Sequence, residues 1–316
     1  MARRRPLLVY IALTLGVVSF AFSPILVRWA DDAPGVAIAV WRTSLAVLLL
    51  LPLAGRVRLR DEVEAFTWRD VGLITGAGVF LGLHFITWIE SLYHTTVASA
   101  SVLVTTSPLF LVVLGYWLLD ERLSRGAVGA IVVAVGGAAV IAIGDAQAVV
   151  AGPNPLWGNS LALGAALLVS VYLLIGRVVR QQTSWLAYVL PLYAVAAGTT
   201  IIAALVQGVP LFGYWWGFYG LCALMAIGPQ ILGHGSFNYA LQYFPAALVG
   251  LLALLEPVGS SILAYLLFGE QPAPLALSGM AVVLAAVAVV VWSERRERQA
   301  ASAATEAPET DPPEGR

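Results

Sequence analysis

TSPLFLVVLGYWLLDE (residues 106–121) and LEPVGSSILAYLLFGE (residues 255–270) follow one pattern, 149 residues apart. In each stretch a proline interrupts an apolar run, and a tyrosine, a leucine and a final glutamate follow at the same spacing. The aligned pairs include Pro108 with Pro257, Tyr116 with Tyr265, Leu118 with Leu267, Glu121 with Glu270 and, without a gap, Arg28 with Arg177. The second half of the chain therefore repeats the first, and the fold is expected to consist of two similar halves.

Composition indicates the environment of these halves. Hydrophobic residues make up 60% of the chain and charged residues 11%, and the mean hydropathy is +0.87. Soluble domains average about 45–50% apolar and about 25% charged residues. Lipid offers no hydrogen-bond partner to the backbone, and the apolar stretches are too long for barrel strands, so they are expected to be helices. The predicted fold class is an all-α polytopic membrane protein.

Ten apolar stretches are long enough to cross the roughly 30 Å of hydrocarbon. The predicted spans cover about 7–29, 34–54, 71–93, 97–119, 126–144, 156–178, 185–206, 214–240, 246–268 and 273–293. The eighth is the least regular, because Gly228-Pro229 and Gly233-His234-Gly235 interrupt it. The first repeat is predicted to cover 1–145 and the second 155–293, with five spans each. The polar, Pro-rich segment 294–316 is predicted to be a disordered cytoplasmic tail.

The arginines predict the orientation. All 17 basic residues are arginines, and with a cytoplasmic N-terminus only Arg28 and Arg42 lie away from cytoplasmic span ends, as the positive-inside rule requires. The cytoplasmic set is Arg3, Arg4, Arg5, Arg56, Arg58, Arg60, Arg69, Arg122, Arg125, Arg177, Arg180, Arg295, Arg296, Arg298 and Arg316. Both termini of this multi-pass chain are then cytoplasmic, in an inner (plasma) membrane. Five spans per repeat is an odd number, so the two halves are predicted to insert as an inverted repeat, which is typical of transporters with a substrate site at the bilayer midplane.

Several global features exclude function classes. The net charge of −1 and the pI near 6.3, without a basic patch, indicate no nucleic-acid partner. The single cysteine, Cys222, excludes an intrachain disulfide and a cysteine-based metal site, and neither a metal nor a cofactor is expected. Because no nucleotide-binding motif occurs, the energy is expected to come from an ion or solute gradient. The expected partners are the lipid bilayer and a small-molecule substrate, and the sequence carries no signal for the oligomeric state.

Three stretches carry a family resemblance: AIAVWRTSLAVLLLLP (37–52), TSPLFLVVLGYWLLDERLS (106–124) and LLALLEPVGSSILAYLLFGE (251–270). With the double five-span layout, they resemble the drug/metabolite transporter superfamily, specifically its ten-helix EamA-type branch. The resemblance covers about residues 7–293. Asp120 departs from the pattern, in which a glycine often precedes the glutamate, and this departure is expected only to trim the helix end. The resemblance implies export or exchange of amino acids, other metabolites or toxic compounds.

Ionisable groups inside the spans are candidate functional residues, since each costs about 2.5–3.5 kcal/mol at the bilayer centre. Arg42 is either a site for a substrate carboxylate, a structural partner of Glu90 or an arginine that snorkels to the outer surface. Glu256 precedes Pro257, which removes a backbone donor. This glutamate serves either proton coupling, a substrate ammonium group or a protonated contact between helices, and its repeat equivalent is Ser107. Glu90, near the outer end of its span, is a gating or ion-pair candidate.

Polar and aromatic residues mark one face of the third span and one face of the eighth. At 100° per residue, these faces contain Phe80, His84, Thr87, Trp88 and Ser91 in the third span, and Gln230, His234, Phe237 and Asn238 in the eighth. Lipid would reject these polar groups, so both faces are expected to line a cavity. The histidines are candidates for proton handling or for hydrogen-bonded packing. The aromatic residues are candidates for contact with an apolar ligand or for packing.

Other residues are expected to have structural roles or to face the cavity. The first group comprises the glycines 72, 76, 78, 82, 136 and 137, expected to allow close helix packing, and Glu121 and Glu270, expected at helix ends or in loop packing. Ser19, Ser23, Pro24, Ser170 and Tyr172 are the further candidates for the cavity.

Three function classes compete. A secondary transporter, predicted to export a small metabolite, explains the repeat, the midplane charges and the polar faces, and Arg42 with Glu256 would complement a zwitterion such as an amino acid. Drug-like or other metabolites are the alternative substrates. A membrane-embedded enzyme is not predicted, because among His84, Glu90 and His94 only the last two share a helix face, and no HExxH spacing occurs. A purely structural membrane protein would not require midplane charges.

Overall fold

The computed structural model describes residues 6–55, 59–95, 97–146, 153–269 and 273–306. Of the features named above, Arg3–Arg5, Arg56, Arg58, Glu270, Arg316 and the last ten residues of the tail lie outside the described residues. The described helices are α1 (Leu7–Ala21), α2 (Ser23–Trp29), α3 (Gly35–Ala54), α4 (Leu59–Glu64), α5 (Trp68–His94), α6 (Val97–Val104), α7 (Ser107–Leu119), α8 (Arg125–Ala146), α9 (Pro155–Val179), α10 (Trp185–Val206), α11 (Trp216–Met225), α12 (Gly235–Ala240), α13 (Ala246–Leu251), α14 (Leu255–Phe268) and α15 (Pro274–Glu306). A π-helix (Ala226–His234) links α11 to α12, and a 3-10 turn (Leu252–Leu254) links α13 to α14.

Within the part of the chain that the structure describes, eight helical segments are long and apolar enough to cross a membrane, which confirms a polytopic membrane protein. They are Leu7–Trp29, Gly35–Ala54, Trp68–His94, Ser99–Leu119, Pro155–Val179, Trp185–Val206, Trp216–Ala240 and Ala246–Leu267. Two shorter apolar helices, Arg125–Ile141 and Pro274–Val290, correspond to the fifth and tenth predicted spans. The total of ten spans and the inverted arrangement stay predictions. The last helix continues to Glu306, well past the predicted end of the tenth span.

Prolines break the fourth and ninth spans at equivalent places. Pro108 lies in the first turn of α7, after a turn at Thr105–Thr106, and Pro257 lies in the first turn of α14, after the 3-10 turn. Proline cannot donate a backbone hydrogen bond to the residue four positions earlier. In each span one helix therefore ends before the proline and the next begins with the proline in its first turn, near the middle of the span.

The ends of these two broken spans also match. Asp120 ends α7 with φ 51°, and Gly269, 149 residues later, follows α14 with φ 68°. Both residues thus occupy the left-handed region, which glycine adopts freely and aspartate tolerates. The departure of Asp120 from the family pattern leaves the helix end in the same conformation as in the second half.

Local sequence explains the other helix starts near the site. Thr67 forms a capping box at the start of α5, in which its hydroxyl accepts from the Asp70 N–H and the Asp70 carboxylate accepts from the Thr67 N–H. Asn154 and Ser184 cap α9 and α10 through their side-chain oxygens. These caps satisfy backbone N–H groups that have no partner within the helix.

The two sequence halves pack across one another. Helix α5 of the first half lies along α9 and α10 of the second, and α8 of the first half lies along α15 of the second. A Cβ atom at Gly78 would lie 2.8 Å from the Leu192 carbonyl oxygen, and one at Gly137 would lie 3.0 Å from the Gly279 carbonyl oxygen. These two glycines and Gly82 therefore allow close helix contact, as predicted. The prediction is wrong for the glycines at 72 and 136, which have open space around them.

Candidate functional site

A cavity lies between the two halves, at the level of the helix breaks. Its walls come from spans one, two, three, four, six, eight and nine. They comprise Phe20, Ser23, Arg42, His84, Phe85, Trp88, Val104, Thr105, Ser107, Val169, Leu173, His234, Phe237, Gly250, Ala253 and Glu256. The cavity thus contains one cation, one carboxyl group and two imidazoles within an aromatic and aliphatic wall.

Arg42, in the middle of α3, has only 1% of its surface exposed. Its Nη2 donates to Gln230 Oε1 at 3.1 Å, and its guanidinium carbon lies 4.0 Å from the centre of the Phe85 ring, in a cation–π contact. Its Nε and Nη1 are buried and have no hydrogen-bond partner among the described residues. The guanidinium is therefore fixed on one side and presents free donors on another.

Arg42 does not pair with Glu90. Glu90 Oε1 instead lies 3.1 Å from His94 Nε2, one helical turn later, and both side chains are partly exposed. The ion-pair alternative for Arg42 and Glu90 is therefore wrong, and so is snorkelling, because the guanidinium is buried against Phe85 and Gln230. Glu90 does not line the cavity.

Glu256 lies in the first turn of α14, and its repeat equivalent Ser107 also lines the cavity. It has 9% of its surface exposed, and its Oε1 is buried and has no hydrogen-bond partner among the described residues. A buried carboxyl oxygen without a partner costs free energy, about 1–3 kcal/mol or more for a charged group. The site therefore holds an unfilled acceptor as well as unfilled donors.

The two cavity histidines contact each other, with ring centres 5.9 Å apart. His84 Nδ1 lies 2.9 Å from the Ala165 carbonyl oxygen, and because a carbonyl can only accept, Nδ1 carries the proton. In a neutral ring Nε2 is then an acceptor. His234 Nδ1 lies 3.1 Å from the Tyr172 hydroxyl, so Tyr172, a cavity candidate, acts through His234.

The aromatic wall surrounds His234. Phe20 and Phe85 stand edge-on to its ring at centre distances of 5.0 and 5.1 Å, and Phe20 contacts Phe237 at 5.0 Å. Trp88 is buried and completes the wall. Such a wall suits the apolar part of a ligand.

Two predicted candidates lie behind the cavity wall. Gln230 is fully buried and holds Arg42, while the Tyr193 hydroxyl donates to the Gln230 carbonyl oxygen at 2.7 Å. Asn238 is fully buried beside the hydroxyls of Tyr172 and Tyr193, and its amide atoms do not reach hydrogen-bonding geometry. The π-helix at Gly228-Pro229 shapes this region, which accounts for the irregular eighth span in the sequence. π-Bulges are frequent at functional sites.

The internal repeat could have predicted more of the residues that line this cavity. Five pairs of lining residues are 149 positions apart: Phe20 with Val169, Phe85 with His234, Trp88 with Phe237, Val104 with Ala253 and Ser107 with Glu256. Sequence reasoning missed Phe20 and Phe85. Phe85 could have been predicted from the sequence, because its repeat equivalent is the candidate residue His234. The cavity is pseudo-symmetric in its walls, whereas its charges are not duplicated.

A second polar cluster lies at the end of α9. Arg177 Nε donates to Glu121 Oε1 at 2.7 Å, and its Nη1 donates to the Leu241 carbonyl oxygen at 2.7 Å. Arg180 is buried and donates to the carbonyl oxygens of Asn238 and Thr183. Burial lowers the pKa of Arg180 to about 10, so it stays charged at neutral pH. Glu121 was expected at a helix end and is in fact half of an ion pair.

Known proteins are similar to this chain in sequence or in fold. Its relatives include a probable terminal-alkyne amino-acid exporter of Streptantibioticus cattleyicolor, 27% identical over 88% of this chain and 92% of its own. They also include a pseudopaline exporter of Pseudomonas aeruginosa, 25% identical over 86% of this chain and 92% of its own. One solved crystal structure superimposes with a TM-score of 0.74 at 17% identity, covering 91% of this chain and 98% of that one, and so shares the fold.

The EamA-like transporter family model matches the chain twice, at residues 7–143 and 156–292. The two matches have equal length and begin 149 residues apart, which is the offset of the internal repeat. Together they cover most of the chain, which therefore belongs to the EamA-like transporter family.

Proposed function

We propose that this protein is a secondary transporter that exports a small zwitterionic metabolite, such as an amino acid, by alternating access to the cavity. The observation that carries the proposal is the pair of unfilled partners in one buried space. Arg42 offers Nε and Nη1 as donors, and Glu256 offers Oε1 as an acceptor. Buried charges are normally paired, and a zwitterion would pair both, with its carboxylate at Arg42 and its ammonium group at Glu256.

The relatives support the direction of transport and the substrate class. Two of them are named as exporters, and one of these as an exporter of an amino acid. The family and these names point to a transporter and away from an enzyme.

The membrane arrangement belongs to the same proposal. The double family match and the paired cavity walls support two repeats, 1–145 and 155–293. Five spans per repeat and the distribution of arginines support inverted halves with both termini in the cytoplasm, in an inner membrane. The segment beyond the last span is then cytoplasmic.

A proton gradient is the favoured energy source. Glu256, His84 and His234 line one cavity, and each can release or bind a proton as the cavity opens to either side. The histidines contact each other, so protonation of one would disfavour protonation of the other. Glu90 and His94 form a separate pair. This pair is the candidate gate at the outer end of the third span.

Drug-like or other metabolites are the second candidate substrates. The four aromatic side chains of the wall, Phe20, Phe85, Trp88 and Phe237, favour them, because a flat apolar ligand would stack there. Such a ligand without a carboxylate would leave Arg42 unpaired. This cost makes the zwitterion the better match.

Efflux from proteoliposomes preloaded with mixed amino acids tests the proposal. Wild type is compared with Glu256→Gln, with and without a pH gradient, and Glu64→Gln, at an exposed carboxylate, is the matched control. Gradient-dependent efflux that Glu256→Gln abolishes and Glu64→Gln preserves would support a proton-coupled amino-acid exporter. Efflux indifferent to the gradient and to Glu256→Gln would contradict coupling through Glu256. Absence of amino-acid movement would overturn the zwitterion and favour the second class of substrates.

A further inference from the structure

The two proline breaks place two backbone carbonyl groups at the cavity. In a continuous helix the N–H of residue 108 would bond the Val104 carbonyl oxygen, and the N–H of residue 257 would bond that of Ala253. Both positions are proline, so both oxygens lose that donor. Val104 and Ala253 both line the cavity and are 149 residues apart.

Local hydrogen bonds replace the lost donors only in part. At the first break, Thr105 N donates to Ser101 O and Thr106 N to Leu103 O, and among the described residues no backbone bond at this break reaches the Val104 oxygen. At the second break, the Leu255 N–H is shared between Leu252 O and Ala253 O. Each break therefore leaves a carbonyl oxygen with acceptor capacity on a residue that lines the cavity.

The two breaks lie against each other and beside Glu256. A Cβ atom at Gly250, in α13, would lie 3.7 Å from Pro108 Cγ and 2.5 Å from Leu111 Cδ1, both in α7. Glu256 immediately precedes Pro257 and has an unpartnered, buried Oε1. Glu256, Val104 and Ala253, which belong to two different spans, thus line the same cavity.

We propose that Glu256 and the carbonyl oxygens of Val104 and Ala253 bind a primary ammonium group. A primary ammonium has three N–H donors, and the site offers three acceptors. Each N-methyl group removes one donor and leaves a buried acceptor unfilled, which costs on the order of tenfold in affinity. Arg42 in the same cavity disfavours a bare cation, so the ammonium of a zwitterion fits better than a metal ion. The proposal rests on the proposed function and adds selectivity for unmethylated amines.

A ligand series on the purified full chain in nanodiscs tests the site. The probes are L-leucine, N-methyl-L-leucine, N,N-dimethyl-L-leucine, 3-methylbutylamine, 4-methylpentanoate and Na⁺, with affinity measured by calorimetry; if another amino acid binds more tightly, its own N-methyl series replaces that of leucine. The expected result is a loss of about tenfold per N-methyl group. Glu256→Gln should weaken leucine and 3-methylbutylamine by about tenfold or more and leave 4-methylpentanoate unchanged.

Proline variants separate the carbonyl oxygens from the carboxylate. Pro257→Ala restores the donor to the Ala253 oxygen and Pro108→Ala restores that to the Val104 oxygen, so each leaves two acceptors for two donors. The affinity ratio between leucine and N-methyl-leucine should then fall from about tenfold towards one. Pro52→Ala, at a proline inside α3 away from the cavity, should leave the ratio unchanged. The ratio of the two affinities does not change when a variant merely contains less folded protein.

The outcomes distinguish this proposal from the proposed function. Amino-acid binding that ignores N-methylation, or a ratio that both proline variants preserve, would overturn the ammonium site and leave the exporter intact. Binding of 3-methylbutylamine that depends on Glu256, without binding of any amino acid, would support the ammonium site and contradict the zwitterion. Competition by Na⁺ that Glu256→Gln abolishes, without an effect of N-methylation, would assign the site to an inorganic cation and overturn the proposal.

Discussion

Arg42 shows why a single buried side chain can indicate a ligand. Removing a guanidinium from water costs several kcal/mol unless charges or hydrogen bonds compensate. Here one contact with an amide and one with an aromatic ring compensate in part, while two nitrogens stay unfilled. A structural arginine, such as Arg180, instead spreads its donors over carbonyl oxygens. Arg42 thus has donors left for a ligand, whereas Arg180 already donates to several protein groups.

Replacing Arg42 with lysine tests the guanidinium itself. Lysine keeps the charge but loses the planar fork and the contact with Phe85, so Arg42→Lys should lower amino-acid transport by about tenfold or more. Counterflow in proteoliposomes measures the rate. The matched control is Arg60→Lys, because Arg60 forms an exposed ion pair with Glu64, and its transport should equal that of wild type. Equal transport by Arg42→Lys would contradict recognition by the fork.

Gln230 is predicted to position Arg42 rather than to touch the substrate. Gln230→Glu is nearly isosteric and gives Arg42 a permanent carboxylate partner. The new carboxylate would compete with that of the substrate, so affinity for a zwitterion should fall by about tenfold, while the melting temperature should hold or rise. An amine without a carboxylate should bind as before. Loss of both ligands together would indicate a collapsed cavity and count against a positioning role.

At the scale of elements, contacts at the helix ends and close contacts between helices explain how the helices are held together. The end of α9 holds the end of the eighth span through Arg177 and Arg180, which donate to the carbonyl oxygens of Leu241 and Asn238. These carbonyls have no helical donors of their own. The long-range pairing of Glu121 with Arg177 was not readable from the sequence, because 56 positions separate the two residues.

Breaking that ion pair should cost stability. Both side chains are about one-fifth exposed, which places the pair between the surface and buried classes, so Glu121→Gln should lower the free energy of unfolding by about 1–2 kcal/mol. Thermal melting in detergent measures the change. Glu64→Gln, in an exposed pair, should leave the melting temperature nearly unchanged. A similar melting temperature for Glu121→Gln and wild type would show that the pair is not stabilising.

Two adjacent glycines provide a matched test of helix packing. A Cβ atom at Gly137 would lie 2.9 Å from Val282 Cγ1 and 3.0 Å from the Gly279 carbonyl oxygen, whereas one at Gly136 would meet open space. Gly137→Ala should therefore destabilise the contact between α8 and α15 by about 1–3 kcal/mol. Gly136→Ala should be neutral or stabilising by up to about 1 kcal/mol. Equal melting temperatures of the two variants would contradict the close approach.

At the scale of the whole molecule, the halves are alike in sequence and unlike in local structure. The first span breaks at Phe22 while its equivalent α9 is continuous, and the third span is continuous while the eighth contains the π-helix. Hydropathy and the repeat predicted helices, spans and most polar candidates, because both depend on local composition. They could not predict the contacts of Arg42 with Gln230 and Phe85, nor that Asn238 lies behind the cavity wall. Both depend on how distant helices are rotated against each other.

The proposed inversion of the halves makes a prediction about sidedness. Residues 149 apart should lie on opposite membrane faces, so cysteines introduced at Asp32 and Gln182 (next to the equivalent Gln181) should react from opposite sides, as should those at Val63 and Phe212. All four positions are exposed, and the native Cys222 is buried, so a Cys222→Ala background is needed only as a control. An impermeant maleimide added to intact cells should label the cysteines at 32 and 212, and those at 63 and 182 only after permeabilisation. Reaction of 63 and 212 from the same side would contradict inverted halves, because a parallel repeat places equivalent loops on one face.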